Sequence, residues 1–326
     1  MSSSYMLALL IAVASMFSSL PTYAIDTPVS LTELLAKLET AERQLSFTGR
    51  YTYEHGGTIE TFEIVRLVLN GIEIEKTVHL SGPKREQVRF GRDTRCLTTS
   101  NLLLRGHYLN LNKGGALSLN QNYDFYFLGH DRVANRKVFV IRIEPKDKYR
   151  YGYRLAVDED TGLIMRTVIT SGKKNALERV QYVALEPLLG DMSTHFTPDE
   201  LQQYTEKTRQ QADSAKPCDL FVEDSSPWQP TWIPGGFILT DYTLTEKDGH
   251  METYSDGLSV FSVFASTQDE AQIRRSLAHR GATVAFVTSL ELHNTLVNVA
   301  VVGEIPMATA QRITASMINI ELSAQE

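Results

Sequence analysis

Between Phe47 and about Val183 the chain alternates polar and apolar residues with period two, and this constrains the fold more than any other feature. The alternation is clear at 47–53, 61–69, 72–80, 138–143, 163–170 and 179–183. Turn signals stand between the runs: His55-Gly56-Gly57, Asn70-Gly71, Ser81-Gly82-Pro83, Asp160-Thr161-Gly162 and Ser171-Gly172. Asn70-Gly71 is a pair that accepts positive φ at both centres of a tight hairpin. Many short strands on short turns give an antiparallel, strongly curved sheet, with one face for water and one for something apolar.

A single strong helix precedes the strands. Leu31, Leu34, Leu35, Leu38, Ala41 and Leu45 recur at helical spacing behind a Ser30-Leu31-Thr32-Glu33 capping box. One helix cannot cover the whole apolar face, so further helices or a ligand must. After Glu186-Pro187, Thr197 reads as a helix cap with Pro198 in the first turn. Residues 210–230 are polar and carry Pro217, Pro227 and Pro230, a linker composition. A second unit follows, with strands expected at 236–245, 251–254, 258–264, 283–287 and 296–302. A helix is expected at 269–279, and a last one from Pro306 with Ala310, Ile313, Met317 and Ile318 on one face. The expected organisation is a leader at 1–24, a strand-rich domain at 25–209, a linker at 210–230 and a small α+β domain at 231–326.

The first 24 residues contain no charged side chain, have an apolar centre, and end in small Thr22 and Ala24, as a cleaved export signal does. An uncleaved anchor is the alternative, because no Lys or Arg precedes the apolar run. Export to an oxidising compartment leaves Cys96 and Cys218 open to a disulfide or to two free thiols. Charge divides unevenly: residues 25–190 hold 24 basic against 20 acidic groups, and residues 191–326 hold 8 against 19. The first domain is therefore mildly basic and the rest distinctly acidic.

No nucleophile elbow, zinc-protease helix, phosphate loop or dinucleotide fingerprint is present, so no catalytic residue, cofactor or metal ligand is assigned. Eight histidines are scattered, and neither cysteine has a ligand-spaced neighbour. Export, net charge of −7 and the lack of a basic helix argue against nucleic acid. What remains is a protein that works by binding.

In the second unit Trp232-Ile233-Pro234-Gly235-Gly236-Phe237 is followed by Tyr254-Ser255-Asp256-Gly257-Leu258-Ser259, Arg280-Gly281-Ala282 and Val302-Gly303-Glu304-Ile305-Pro306. This ordered set resembles the C-terminal domain of the RseB/MucB family of sigma-E regulators. Phe47-Thr48-Gly49 and Tyr151-Gly152-Tyr153-Arg154-Leu155 resemble that family's first domain. The resemblance implies an α+β protein: an unclosed antiparallel β-barrel with helices on its concave face, similar to LolA and LolB, plus a small C-terminal α+β domain. It also implies a periplasmic negative regulator that grips the periplasmic domain of the anti-sigma factor RseA/MucA and shields it from regulated proteolysis. Lipopolysaccharide or mislocalised acylated lipoprotein is the implied releasing ligand. Oligomeric state stays open, a homo-oligomer included. A lipid or lipoprotein carrier of the LolA/LolB type is the alternative function. Candidate pocket residues are Phe62, Ile64, Phe139, Val140 and Ile141, from apolar strand faces whose concave side the sequence does not identify. Candidate partner residues are Trp232, Phe237, Asp256 and Glu304, with core, turn and helix-start roles as their alternatives.

Overall fold

The computed structural model describes residues 31–93, 115–172, 175–188, 192, 194–213, 226–245, 249–267, 274–292 and 294–320. The leader, Ser30 of the capping box, Cys96 and Cys218 lie outside them.

Helix α1 (Leu31–Gln44) leads into an antiparallel meander. Its strands are β1 (Phe47–His55), β2 (Thr58–Leu69), β3 (Ile72–His79) and β4 (Arg85–Asp93), then, after α2 (Gly115–Asn122), β5 (Tyr123–Val133), β6 (Arg136–Pro145), β7 (Gly152–Asp158), β8 (Ile164–Ser171) and β9 (Asn175–Pro187). They form one nine-stranded sheet in the order β4-β3-β2-β1-β9-β8-β7-β6-β5, so β4 and β5 are its edges and the sheet does not close. Asn70 (φ 53) and Gly71 (φ 76) make the β2–β3 turn with both centres left-handed, as the pair requires.

Register partners share a face, which sorts the side chains of this sheet. Tyr51 faces Phe62 and Tyr182, and the same face continues through Val180, Thr167, Leu155 and Ile141. This inner face receives α1: Ala41 packs in one cluster with Phe47, Ile64, Tyr182 and Leu185, and the Lys37 ammonium lies 5.7 Å from the Phe139 ring centroid. Helix α3 (Pro198–Asp213) lies on the other side of β2–β4, where Phe196 and Tyr204 pack with Val65, Leu67 and Ile74. It starts with the expected cap: Glu200 N–H donates to Thr197 Oγ1 and Thr197 N–H to Glu200 Oε2.

The second sheet has six strands: β11 (Ile238–Thr245), β12 (Gly249–Ser255), β13 (Val260–Ser266), β14 (Ser276–Arg280), β15 (Thr283–Leu292) and β16 (Thr295–Gly303), in the order β11-β12-β13-β16-β15-β14. Helix α4 (Met307–Thr314) packs Ala310 and Ile313 into its core with Phe261, Val299 and Val301. Two expectations are corrected here. Ser276–Arg280, taken as the end of a helix, is an edge strand with every residue exposed. Met317 and Ile318 leave the last helix and form β17 (Met317–Asn319), which pairs with β10 (Trp228–Pro230). Trp228, read as linker, is buried in this core. Among the described residues no helix is long and apolar enough to cross a membrane.

Candidate functional site at the joint between the sheets

The two sheets meet through polar groups that would be expensive to bury singly. Arg150, in the turn between β6 and β7, has a fully buried guanidinium. Its Nη1 donates to Asp256 Oδ2 (2.5 Å), its Nη2 to the Gly235 carbonyl (2.5 Å) and its Nε to Asp147 Oδ1 (3.2 Å). The guanidinium also stacks near the Tyr123 and Phe237 rings, at 5.5 and 5.1 Å. Asp256 is wholly buried in the turn between β12 and β13. It accepts from Arg150, from Tyr123 Oη (2.9 Å) and, at Oδ1, from the N–H groups of Leu258 and Ser259. Burial, the largest influence, leaves its carboxyl above the usual carboxylate value, against the downward pull of Arg150, the Leu258 and Ser259 N–H groups and the Tyr123 hydroxyl. Tyr153 Oη lies 3.0 Å from Ser259 Oγ, and burial, then Glu304, raises its phenol well above the usual value.

Beside this core, Thr309 Oγ1 donates to the Tyr149 carbonyl and Arg312 Nη1 to Tyr149 Oη. Arg312 lies 3.8 Å over the Trp232 ring, which Tyr149 meets edge-on at 5.1 Å. At the far end Arg280 Nη2 donates to Glu60 Oε2 (2.6 Å), and Ala282 N–H to Glu178 Oε2, which also accepts from Tyr53 Oη. Close backbone approach sets the glycines: Gly281 (φ 58) lies where a Cβ would strike the Glu178 carboxylate, and Gly236 (φ 87) where it would strike the Asn122 amide.

The expected partner residues gather here. Trp232 is half-buried under Arg312; Phe237 packs on Phe261 inside the second core with Arg150 on its ring; Asp256 is the hub. Glu304 is buried after β16, its N–H donating to the Val260 carbonyl. Of the pocket candidates, Phe62, Ile64, Phe139 and Ile141 share the inner face. Val140 alternates with Phe139 and Ile141 along β6 and belongs to the same buried cluster as Ala41, Phe47, Ile64 and Tyr182. Sequence reasoning missed Arg150, Tyr123, Glu60 and Glu178 as joint residues. Arg150 stands next to the Tyr151-Gly152-Tyr153 motif, so a signal was adjacent, whereas Glu60 and Glu178 carry none. Among the described residues no group of three or more His, Cys, Asp or Glu side chains is placed to hold a metal ion.

Comparison with known families matches residues 30–203 to the MucB/RseB N-terminal domain and residues 222–318 to the MucB/RseB C-terminal domain. The chain belongs to the MucB/RseB family. It is 31% identical over 329 residues to the sigma factor AlgU regulatory protein MucB of Pseudomonas aeruginosa, covering 98% of this chain and 99% of that one. The sigma-E factor regulatory protein RseB of Haemophilus influenzae is 29% identical over 200 residues, 60% of this chain and 59% of its own. Among solved structures, the Pseudomonas aeruginosa MucA/MucB complex superposes with a TM-score of 0.64 at 29% identity, covering 88% of this chain and 97% of that one. The quoted MucB/RseB motifs Trp232–Phe237, Ser255–Ser259 and Arg280–Ala282 all supply atoms to the joint.

Proposed function

We propose that this chain is a non-enzymatic negative regulator of a sigma-E-type envelope stress response. It is exported, with cleavage near Ala24, and works in the periplasm. There it binds the periplasmic domain of an inner-membrane anti-sigma factor of the RseA/MucA kind and shields it from regulated proteolysis. The observation that carries this reading is the family match across both domains, together with a relative solved in complex with MucA. Lipopolysaccharide or acylated lipoprotein is the releasing ligand: acyl chains on the inner face, around Phe62, Ile64, Phe139 and Ile141, bury apolar area at about 25 cal/mol per Å². A ligand that favours a different pose of the two sheets then lowers partner affinity through linked equilibria.

The test is binding of the purified chain to the periplasmic segment of its cognate anti-sigma factor, with and without lipopolysaccharide. The expected result is tight binding that the lipid weakens by at least about tenfold, or 1.4 kcal/mol. Absence of partner binding, with acylated ligand still held, would replace this reading with that of a lipid carrier.

A further inference from the structure

The end of the joint farthest from Arg150 is built around one carboxylate and two imidazoles. Glu60, on β2, accepts from Arg280 Nη2 of β14 at 2.6 Å. His55 Nε2, at the end of β1, lies 3.2 Å from Glu60 Oε2 and 3.3 Å from Arg280 Nε. His79 Nε2, at the end of β3, lies 3.4 Å from Glu60 Oε1. The guanidinium also sits 5.6 Å from the Tyr53 ring centroid, which packs on His55 at 4.6 Å. One nitrogen therefore serves two neighbours of opposite demand. Neutral His55 accepts from Arg280 through its Nε2 lone pair; protonated, Nε2 becomes a donor that competes with Arg280 for Glu60 and repels it.

The charged groups packed around this contact make the balance explicit. β1 and β2 supply Glu54 and Glu60; β9 supplies Glu178 and Arg179; β4 places Arg85 opposite His79; β14 supplies Arg280. Glu54 and Arg179 pair with each other on the opposite face of the sheet, and Glu304 of the second domain also acts on Tyr53, so the groups that meet at the contact itself are Glu60, Arg280, His55 and His79. His55, His79 and His279, the last lining a cavity of about 330 Å³ with His55, Glu54, Glu178, Arg179 and Gly281, add up to three positive charges on acidification. Glu60 stays ionised through that range: against the cost of its burial, His55 and Arg280 hold it below the usual carboxylate value. The Arg150–Asp256 hub is joined by Asp147, Tyr123, Tyr153, Ser259 and backbone groups, and among the described residues its hydrogen-bond partners include no imidazole.

We propose that the Glu60–Arg280 contact is an acid-released latch: protonation of His55 and His79 frees this end of the joint while the Arg150 end holds. The device belongs to the joint itself and does not depend on which partner the chain binds.

Hydrogen exchange of the whole chain, corrected for the intrinsic pH dependence, tests it. Between about pH 7.5 and pH 5.5, which brackets the imidazole range, the amides around Ala282 should lose about tenfold in protection. Those of Leu258 and Ser259 should not change. In the combined His55→Gln and His79→Gln variant the Ala282 response should disappear. Constant Ala282 protection across the interval would overturn the proposal. So would an equal loss at Ser259, or a response that survives in the double variant and is removed only by His279→Gln.

Discussion

Arg150 and Asp256 leave each other no alternative partner in water, since both side chains are fully buried. Removing one member leaves an uncompensated buried charge, so Arg150→Ala or Asp256→Ala should each destabilise the protein by about 3–5 kcal/mol. Arg150→Ala combined with Asp256→Ala should cost far less than the two losses together, a coupling that urea denaturation of the four proteins will measure. Asp158 is a second buried carboxylate. It accepts from Arg136 at 2.9 and 2.7 Å and from the Thr161 N–H and hydroxyl, and these outweigh burial to hold its carboxyl below the ordinary value. Because the folded value lies below the unfolded one, its contribution is complete above about pH 4 and is lost as pH falls through the folded value. Asp158→Asn should therefore lower stability at neutral pH by about 1–3 kcal/mol and flatten the acid limb of a stability–pH profile. Neither role was legible in the sequence. Asp256 read as a turn residue, which it also is, but its guanidinium partner lies 106 residues away in another sheet.

At the scale of elements, what could be read was what local chemistry decides. Asn70-Gly71 specified a hairpin by its φ requirement, and Thr197-Pro198 specified the start of α3 by its cap. Strands with one face in the core and one in water gave alternation. β7 did not, because six of its seven residues are buried and the burial follows both faces. β14 failed for the opposite reason: as an exposed edge it has no apolar periodicity at all, and its composition suited a helix equally well. Strand β2 is packed on both sides, Ile64 towards α1 and Leu67 towards α3. Leu67→Ala should cost about 2–5 kcal/mol, and Thr197→Ala, at the cap of the helix that covers Leu67, about 1 kcal/mol. Thermal melts of the single and double variants should show the two losses adding less than fully, since the frayed helix already exposes part of Leu67.

At the scale of the molecule, the family resemblance was legible and its geometric meaning was not. The motifs that carry it are spread over 47–49, 151–155 and 232–306 and look unrelated until the sheets are in place. Most of them then lie along one joint, fastened by charge and hydrogen bonding more than by apolar contact. Such a joint is salt-sensitive where it is exposed and not where it is buried. Raising ionic strength from about 0.05 to 0.5 M should therefore loosen the half-exposed Arg280 end and leave Tyr123 and Ser259 protected, which segment-resolved exchange will show.

The inner face has a further consequence. Ile141, Leu155 and Ile169 are already shielded from water, at 6%, 1% and 2% exposure. An apolar guest on that face therefore buries its own surface but finds little exposed apolar protein surface left to cover. Its binding must be an exchange, in which something now packed against the sheet is evicted. α1 holds one end of that face and the Ser255–Ser259 turn lies against Tyr123 and Tyr153 at the other. Among the described residues these two tenants hold the face, and one of them is the joint.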